Sequence, residues 1–479
     1  MSSIESFSSI IAELRKNFEE GKSRSLDVRQ KQLNQISLLI EENTDAICDA
    51  IYKDLRRSKA EMVCLELISV KNEIKTALDN FKTWAQPHHV PRTLLHMTNS
   101  AYVVKDPLGV VLILSAWNYP VYLLLAPLVG AIAAGNCVLL KPSEGSEHSA
   151  NLLSQLIAKY MDPNIVQIVQ GGVPETTALL KERFDHIFFT GSTNIGKVIL
   201  RAAAEHLTPV TLELGGKSPA IVAADCDPAI AARRIAWGSF MSSGQTCLAP
   251  DYVLCHESVK DAFLEGVKVS TKEFYSDDPQ KAVDYARIVN KRHYDRIMKL
   301  FTSTKGTVRF GGKRFDADDL YIEPTVVELT MAQANDDSLM QEELFAPIMP
   351  FIVYEDVEWA LEFVRKRPKP LAMYLFTRDQ SLIDHTLSTT SCGGVTINDV
   401  ILHISLDTLP FGGVGCSGMG RYHGKYTFDT FVHEKSVLHR PVGLEKVLFM
   451  RYPPYDDRKF YWAQKAMSVR DVKSLCTLM

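Results

Sequence analysis

The feature that most restricts the fold of this chain is a long stretch without charge. No residue between positions 107 and 140 is charged, which exceeds the length that a membrane span requires. Turn-forming residues, among them Asn118, Pro120 and the pair Gly135 and Asn136, cut the stretch into GVVLIL, YLLLAPLVGAIAA and CVLL. These lengths are typical of a buried strand, helix and strand in a parallel sheet. A transmembrane segment is the alternative interpretation.

The alternation of strand and helix continues beyond that stretch. Strand-like runs such as IVQIVQGG and HIFFTGS alternate with helix-like runs such as ANLLSQLIAKY as far as Lys217. From about Ser218 to Ser391 a second α/β pattern follows. This alternation predicts parallel sheets covered by helices, with ligands at the carboxyl ends of the strands. A chain of 479 residues is also too long for a single core, so we expect an α/β protein of several domains.

Composition narrows the choice of partner and compartment. The net charge is -4 and the body of the chain has no basic block, which argues against a nucleic-acid surface and favours a small molecule. The nine cysteines are scattered without a CxxC pair, so neither a disulfide framework nor a zinc site is expected. The first residues lack a secretory signal pattern. We therefore predict a cytoplasmic protein.

One cysteine lies in a context suited to chemistry. Cys247 ends the stretch MSSGQTC, a short turn after the helix-like run AIAARRIAWGSF. A thiol on such a turn can point towards a ligand, which makes Cys247 the first candidate nucleophile. The alternative is a small hydrophobic side chain in the core, the usual state of a free cysteine.

Two further segments suggest a dinucleotide site. HIFFTGSTNIGKVIL joins a hydrophobic strand to a helix through a loop that holds Gly191 and Gly196, where a backbone can approach a phosphate. Val198 stands where the phosphate-binding loop of an NTPase needs Ser or Thr, which argues against that class. Lys141 and Glu144 follow a buried strand and could bind ribose hydroxyls. A structural turn is the alternative for each segment.

Two polar residues could assist the cysteine. The amide of Asn118, at the end of GVVLIL, could donate a hydrogen bond to an oxyanion, or it could stabilise the bend before Pro120. Glu213, in TLELGGKSP, has apolar neighbours that predict burial. A buried carboxyl has a raised pKa and can serve as a general base, unless it pairs with a lysine or arginine.

Taken together, these segments resemble the aldehyde dehydrogenase family. FTGS, LELGGKSP, GQTC, QEELF and LPFGGVGCSGMG occur in the family's order over nearly the whole chain. HLTPVTLELGGK, APDYVLC and GRYHGK resemble class 3, and RYPP with the terminal CTLM resembles subfamily 3B. The resemblance implies that Cys247 attacks an aldehyde to form a thiohemiacetal and then a thioester. It also implies that Asn118 and the Cys247 N–H hold the oxyanion, while Glu213 activates water.

The resemblance also implies a cofactor, NAD with NADP possible. Glu343 would hold the nicotinamide ribose and Phe345 would pack near the nicotinamide. The other cofactor-binding residues that it implies are Lys141, Glu144, Gly191, Ser192 and Gly196. The Glu144 carboxylate would repel a 2'-phosphate, which favours NAD. One departure is Ala346, where the family usually has glycine.

The resemblance implies three domains and a homodimer. The fold expected is a Rossmann-type parallel-sheet cofactor domain, an α/β catalytic domain and a small β oligomerisation arm. The predicted ranges are residues 1–87 with 105–215 for the cofactor domain, 216–427 for the catalytic domain, 88–104 with 428–441 for the arm, and 442–479 for a C-terminal tail.

The tail predicts attachment to a membrane. Cys476 begins a four-residue end that fits a CaaX box, and the terminal methionine favours a farnesyl group. Five basic residues and one acidic residue lie between 458 and 473, beside the aromatic run FYW, which would supply a second membrane signal. We therefore expect the protein at the cytoplasmic face of a membrane, where it would meet medium- and long-chain aldehydes. An unmodified tail is the alternative.

Two other functions stay open at this point. A CoA-acylating aldehyde dehydrogenase would use CoA instead of water as acyl acceptor, but such relatives usually lack the glutamate found here as Glu213. A structural family member without activity would show decay of the site, whereas Asn118, Glu213, Cys247 and Glu343 are all present.

Overall fold

The structure is a computed structural model that describes residues 7–93, 96–443 and 445–468. The predicted lipidation site Cys476 lies outside the described residues. The helices, numbered in chain order, are α1 (Phe7–Glu19), α2 (Leu26–Leu55), α3 (Lys59–Met62), α4 (Ile68–Trp84), α5 (Tyr122–Ala134), α6 (Glu147–Tyr160), α7 (Val173–Leu179), α8 (Thr193–Ala204), α9 (Pro228–Phe240), α10 (Lys260–Tyr275), α11 (Lys291–Ser303), α12 (Val357–Arg365), α13 (Gln380–Thr389), α14 (Lys425–Thr430) and α15 (Asp457–Ser468).

The strands form two large sheets, one three-stranded sheet and one hairpin. In chain order they are β1 (His88–His89), β2 (Ser100–Pro107), β3 (Val110–Leu114), β4 (Cys137–Lys141), β5 (Val166–Ile168), β6 (His186–Thr190), β7 (Val210–Glu213), β8 (Pro219–Val222), β9 (Tyr252–His256), β10 (Thr307–Phe310), β11 (Phe315–Asp316), β12 (Tyr321–Ile322), β13 (Thr325–Leu329), β14 (Ile348–Tyr354), β15 (Ala372–Phe376), β16 (Gly394–Ile397), β17 (Gly418–Met419) and β18 (Val432–His439).

The first large sheet has the strand order β17-β7-β6-β3-β4-β5. Its strands from β7 to β5 are parallel, and β17 pairs antiparallel with β7. The chain proceeds from β3 to β4 on one side and returns to β6 on the other. The topological switch point therefore lies between β3 and β6, where open α/β sheets bind their ligands.

The uncharged stretch forms β3, α5 and β4, in agreement with the strand-helix-strand interpretation. Every residue of these three elements is buried, which explains the absence of charge as far as Leu140, and the charged Lys141 comes only at the end of β4. Gly135 ends α5 with a φ of 95°, a conformation that a residue with a side chain rarely adopts. Among the described residues, none of the helices combines the length and the apolar character of a membrane span.

The second large sheet has the order β10-β13-β14-β9-β8-β15-β16, and its pairs are parallel except β10 with β13. A hydrophobic core that includes Leu254, Ile352 and Leu375 packs on this sheet. The predicted α/β class, with parallel sheets and a small antiparallel sheet, is confirmed. The predicted ranges of the three domains stay a prediction.

The chain divides into two compact units. The first consists of Met1–Asp79 and Leu108–Phe431 and contains both large sheets. The second consists of Asn80–Pro107 and Val432–Met479 and contains the antiparallel sheet β1-β2-β18. In that sheet β18 pairs with β2 along its whole length, from Val432 opposite Pro107 to His439 opposite Ser100.

Candidate active site

The loop that carries Cys247 begins where α9 ends. Ser242, Ser243 and Gly244 follow one another with φ values of 51°, 53° and 72°, so the chain passes through three left-handed conformations. At Gly244 a side chain is excluded as well, because a Cβ atom would overlap the carbonyl oxygen of Ala346. This tight turn redirects the chain, and Cys247 forms part of the wall of a cavity.

The side chain of Gln245 anchors the same loop. Its Nε2 donates to the carbonyl oxygens of Ser242 at 3.0 Å and Arg287 at 2.8 Å. Its Oε1 accepts from the N–H of Val289 at 2.9 Å. Buried and fully bonded amides restrict a loop to one conformation, so the fold defines the position of the thiol that follows.

The cavity has a volume of about 630 Å³, counted with the solvent at its mouth. Apolar and aromatic side chains form most of the wall, and Cys247 and Glu213 are both part of it. The remaining lining residues are Leu65, Ser69, Tyr119, Tyr122, Leu123, Thr190, Leu214, Met241, Thr246, Leu248, Leu371, Ile401, Ile404, Phe411 and Tyr422. A concave apolar site with few polar groups suits a small organic substrate.

The thiol of Cys247 is held in its protonated form. Burial, followed by the nearby carboxyl groups of Glu343 and Glu213, raises the pKa of the thiol to about 12. Hydrogen bonds from the backbone N–H groups of Cys247 and Leu248 act in the opposite direction. A thiol in this state needs a base before it can act as a nucleophile.

Glu213 is the candidate for that base, because it lies in the wall of the same cavity. It ends β7, and its side chain is buried. Neither carboxyl oxygen has a hydrogen-bond partner among the described residues, and burial raises the pKa of this carboxyl well above its ordinary value. The alternative of a structural carboxylate paired with a cation is therefore wrong. A buried carboxyl without a partner is costly, which is typical of a functional group.

Asn118 connects the end of β3 to the loop of Cys247. It is buried, and its Nδ2 donates to the carbonyl oxygen of Gln245 at 3.1 Å. That bond reaches across the site, whereas a turn-stabilising asparagine would bond within its own bend. The structure therefore brings Asn118 to the same loop as the candidate nucleophile.

The segment expected to bind the cofactor forms a tight turn from β6 into α8. Ser192 caps α8, because its Oγ accepts from the N–H of Ile195 at 3.5 Å. A Cβ atom at Gly191 would overlap the ring of Phe189, and at Gly196 it would press on a leucine side chain, so helix and strand approach closely. The N–H groups at the start of such a helix can bind a pyrophosphate.

Unpaired polar groups lie along the same sheet edge. The hydroxyls of Ser115 and Thr190, at the ends of β3 and β6, are buried without a hydrogen-bond partner among the residues that the structure describes. Lys141 ends β4, and its Nζ lies 3.1 Å from the carboxylate of exposed Glu144. Donors and acceptors therefore stand at the switch point, and these residues fit the dinucleotide that the resemblance implies.

Glu343 packs against the backbone that follows Glu213. A Cβ atom at Gly215 would overlap its carboxyl group, and the N–H of Gly216 donates to it. Burial, followed by the charge of Asp251, raises the pKa of Glu343 to about 8. Only a glycine at position 215 leaves room for this carboxyl.

The loop around Glu343 is fixed by its neighbours. Phe345 has a φ of 52° and packs edge-to-face on Trp117, with ring centroids 5.7 Å apart. Arg296 donates to the carbonyl oxygen of Leu344 at 2.6 Å. Ala346, the departure from the family pattern, is buried where its carbonyl contacts the turn before Cys247. The backbone at position 346 thus lies where the two loops of the site meet.

Sequence reasoning missed two residues at the site. Tyr119 lines the cavity, and its hydroxyl lies 2.7 Å from Oγ1 of Thr246, the residue before Cys247. Arg57 is fully buried and contacts both Asn118 and the turn before Cys247. Its sequence context, LRRSK, is indistinguishable from a solvated charged surface. Within the described ranges, no cluster of histidine, cysteine and acidic side chains could hold a metal ion.

Comparison with known proteins gives matches over most of the chain. The sequence model of the aldehyde dehydrogenase family matches residues 2–437. A Mus musculus protein named aldehyde dehydrogenase, dimeric NADP-preferring, is 48% identical over 447 residues, 93% of this chain and 97% of that protein. Mus musculus aldehyde dehydrogenase family 3 member B2 is 42% identical, with 97% and 95% covered. The substrate-bound structure of Staphylococcus aureus AldH matches with a TM-score of 0.92 at 40% identity, with 97% and 99% covered.

Proposed function

Because this chain belongs to the aldehyde dehydrogenase family, class 3, and catalyses the NAD(P)-dependent oxidation of aldehydes, we propose that Cys247 is its nucleophile and Glu213 its general base. The observation that carries this assignment is the buried carboxyl of Glu213, which has no partner among the described residues and lies in the wall of the cavity that also contains Cys247. A carboxylate with no partner of its own can take a proton from a reactant.

The reaction begins at the thiol. Glu213 in its ionised form accepts the proton of Cys247, and the sulfur forms a bond to the aldehyde carbon. The carbonyl oxygen becomes an oxyanion, which accepts hydrogen bonds from the amide of Asn118 and the N–H of Cys247. When bound, NAD(P) supplies the acceptor for the hydride that leaves the thiohemiacetal carbon. A thioester then remains on Cys247.

Hydrolysis of the thioester needs the same base. Glu213 first releases to solvent the proton that it took from Cys247, and it then accepts a proton from a water molecule, whose oxygen forms a bond to the thioester carbon. The oxyanion donors hold the tetrahedral intermediate until the bond from carbon to sulfur breaks. The carboxylic acid leaves, and the sulfur of Cys247 regains a proton. Because Glu213 is present and no described residue pairs with it, water is favoured over CoA as the acyl acceptor.

The cofactor would bind where β3, β4 and β6 end. Lys141 and Glu144 would bind the adenosine ribose, and Gly191, Ser192 and Gly196 would bind the pyrophosphate. The Glu144 carboxylate disfavours a 2'-phosphate, but the Lys141 ammonium 3.1 Å away offsets part of its charge. These opposing charges support NAD as the cofactor with NADP also accepted.

The apolar wall supports aldehydes with a medium or long aliphatic chain as substrates. Each methylene that enters the cavity is worth about 0.8 kcal/mol, or about fourfold in kcat/KM. We therefore expect kcat/KM for NAD reduction to rise from acetaldehyde through hexanal to decanal. The series is measured by the absorbance of NADH. A flat or falling series would contradict the proposed substrate class.

A matched pair of variants locates the effect in the cavity. Ile404→Ser places a hydroxyl in the cavity wall and is expected to flatten the chain-length series. Leu402→Ser makes the same kind of change two residues away at an exposed side chain and is expected to leave the series unchanged. If both variants flatten it equally, the aldehyde chain does not occupy this cavity.

A homodimer is supported by the three-stranded sheet of the second unit. Within the part of the chain that the structure describes, β18 is an edge strand of that sheet, and most of its side chains are exposed. A long exposed edge is a surface that can pair with another chain. The mouse relative at 48% identity carries the word dimeric in its name. A second copy of this chain is the partner that these observations favour.

Attachment to the cytoplasmic face of a membrane is supported by α15 and the CaaX-like end. The helix exposes Phe460, Tyr461 and Trp462 and also carries basic residues. Aromatic side chains beside basic ones suit a membrane interface, and one lipid chain needs such a second signal. We expect Cys476→Ser to abolish labelling by a prenyl analogue in cells and to move the protein to the soluble fraction.

The control for this experiment is Cys64→Ser, which changes an exposed cysteine far from the C-terminus in sequence. This variant should label and fractionate as the wild type does. If Cys476→Ser labels as strongly as the wild type and both stay soluble, the anchor is wrong, whereas the assignment of Cys247 is unaffected.

A further inference from the structure

Arg57 occupies the link between two helices beneath the active site. Its neighbour Arg56 ends α2 in a left-handed conformation with a φ of 54°, and Ser58 begins α3 by accepting from the N–H of Glu61 at 3.3 Å. This sharp turn directs the intervening side chain inwards. Arg57 is 0% exposed, which is rare for an arginine unless every part of it is paired.

The guanidinium group bridges the two segments that form the oxyanion site. Its Nη2 donates to the carbonyl oxygen of Asn118 and, at 2.7 Å, to Oγ of Ser242. Its Nε donates to the same hydroxyl at 3.2 Å. The group also lies over the ring of Tyr119, with 4.4 Å from Cζ to the ring centroid. One side chain thus spans the end of β3 and the turn before Cys247.

The charge of Arg57 is balanced by Glu66, which holds a third segment. Nη1 donates to Oε1 of Glu66 at 2.7 Å, and both side chains are 0% exposed. Oε2 of Glu66 accepts from the N–H groups of Val121 and Tyr122 at 2.9 and 3.1 Å, at the start of α5. A planar guanidinium can serve these acceptors together because its donors are fixed in one plane.

We propose that Arg57 is a positioning residue that holds the segments of Asn118 and Ser242 at the spacing in which the Asn118 amide and the Cys247 N–H meet one oxyanion. The inference rests on the proposed roles of Cys247 and Asn118. An oxyanion site stabilises its charge only when its donors are already in place, so a small shift between the two segments lowers the rate of acylation. The reactivity of the thiol itself does not depend on that spacing.

Two reagents separate these effects. p-Nitrophenyl acetate acylates a thiol through an oxyanion: a bond from sulfur to the acyl carbon forms, and nitrophenolate leaves. Iodoacetamide alkylates it without an oxyanion: a bond from sulfur to carbon forms, and iodide leaves. Rates with each reagent, without cofactor, therefore report the oxyanion site and the thiol independently.

The test compares two serines in the same turn. Ser242→Ala removes the hydroxyl that Arg57 holds, and we expect acylation of Cys247 to fall about tenfold, a fraction of what losing a whole donor costs. The rate of alkylation by iodoacetamide should stay within about twofold of the wild-type rate, because the substitution changes the surroundings of the thiol but no group that takes part in alkylation. Ser243→Ala removes a buried hydroxyl that donates to the carbonyl of Ala286 instead, and both rates should stay unchanged.

Further variants test the route of the effect. In an Asn118→Ala background, Ser242→Ala should lower acylation no further, because the positioned donor is already absent. Arg57→Met should lower the acylation rate about a hundredfold, which is the loss expected when a donor is misplaced by about 1 Å. Arg57→Lys should recover part of that rate. If Arg57→Met does not fold, the serine pair decides.

Two results would overturn the inference. Equal acylation rates in Ser242→Ala and Ser243→Ala would show that the contact between Ser242 and Arg57 does not affect the oxyanion site. A fall in the alkylation rate of Ser242→Ala as large as the fall in its acylation rate would show general damage to the thiol. If p-nitrophenyl acetate does not react at Cys247 in the wild type, judged by Cys247→Ser, the proposed function itself fails instead.

Discussion

Replacing Cys247 with serine is expected to lower kcat for aldehyde oxidation by at least about 10⁴-fold, as loss of a nucleophile does in enzymes that form an acyl intermediate. Burial and two carboxyl groups already raise the pKa of the thiol to about 12. A hydroxyl in the same place starts from a still higher pKa, so Glu213 could not generate an alkoxide there. NADH formation with hexanal measures the loss.

The matched control is Cys226→Ser. This cysteine is also half-buried, but it lies beyond the end of β8 and outside the cavity wall. Its replacement should leave kcat unchanged. Turnover that survives Cys247→Ser, or falls equally in both variants, would refute the assignment of the nucleophile.

Replacing Glu213 with glutamine is expected to lower steady-state kcat by about 10³-fold, within the range for a lost general base. An amide fills the same space but cannot accept the proton of the attacking water. Because Glu213 also takes the proton of Cys247, formation of the thioester should slow as well, and rapid mixing should show no burst of NADH. A burst that approaches one equivalent per active site would show that another group takes that proton and that Glu213 acts only in hydrolysis.

The same substitution is expected to stabilise the folded protein at alkaline pH. Burial raises the pKa of Glu213 in the folded state, so the unfolded chain releases this proton at a lower pH than the folded one. The stability of the wild type therefore falls as pH rises from the ordinary carboxyl pKa through the raised one. Glutamine does not titrate, so the variant lacks this loss of stability. Each unit by which the folded-state pKa of Glu213 exceeds its unfolded-state pKa corresponds to about 1.4 kcal/mol in the free energy of unfolding.

Thermal unfolding at two pH values tests whether the stability difference between Glu213→Gln and the wild type grows as the pH rises. At pH 8 the midpoint of Glu213→Gln should exceed that of the wild type, and the difference should shrink towards pH 5. Glu257→Gln, which changes an exposed carboxyl just before α10, should show no such trend. A difference that grows as the pH falls would mean that Glu213 is ionised and paired in the folded protein.

Part of the site could be predicted from short segments alone. The turn that presents Cys247 depends on a glycine that no larger residue could replace, and the apolar neighbours of Glu213 correctly indicate its burial. Such features are local, because backbone conformation and the alternation of apolar residues act over a few positions. For the same reason the uncharged stretch could be divided into β3, α5 and β4 before any contact was known.

Other features are decided by residues that meet only in the fold. The segment around Glu213 is equally compatible with a carboxylate that pairs with a lysine or arginine. Only the folded structure shows that neither carboxyl oxygen has a hydrogen-bond partner among the described residues. Arg57 and Ser242 are 185 positions apart in the chain, and the run that contains the arginine gives no sign of burial.

The sequence by itself thus determined the α/β class, the order of the strands and helices along the chain, and which residue types were available for chemistry. The tertiary structure decided the environment of each: a thiol with a pKa raised to about 12, a carboxyl without a partner among the described residues and an arginine enclosed by three segments. The reason is physical. Periodicity and turn chemistry are properties of neighbouring residues, whereas burial and pairing are properties of whatever distant residues the packed chain brings together.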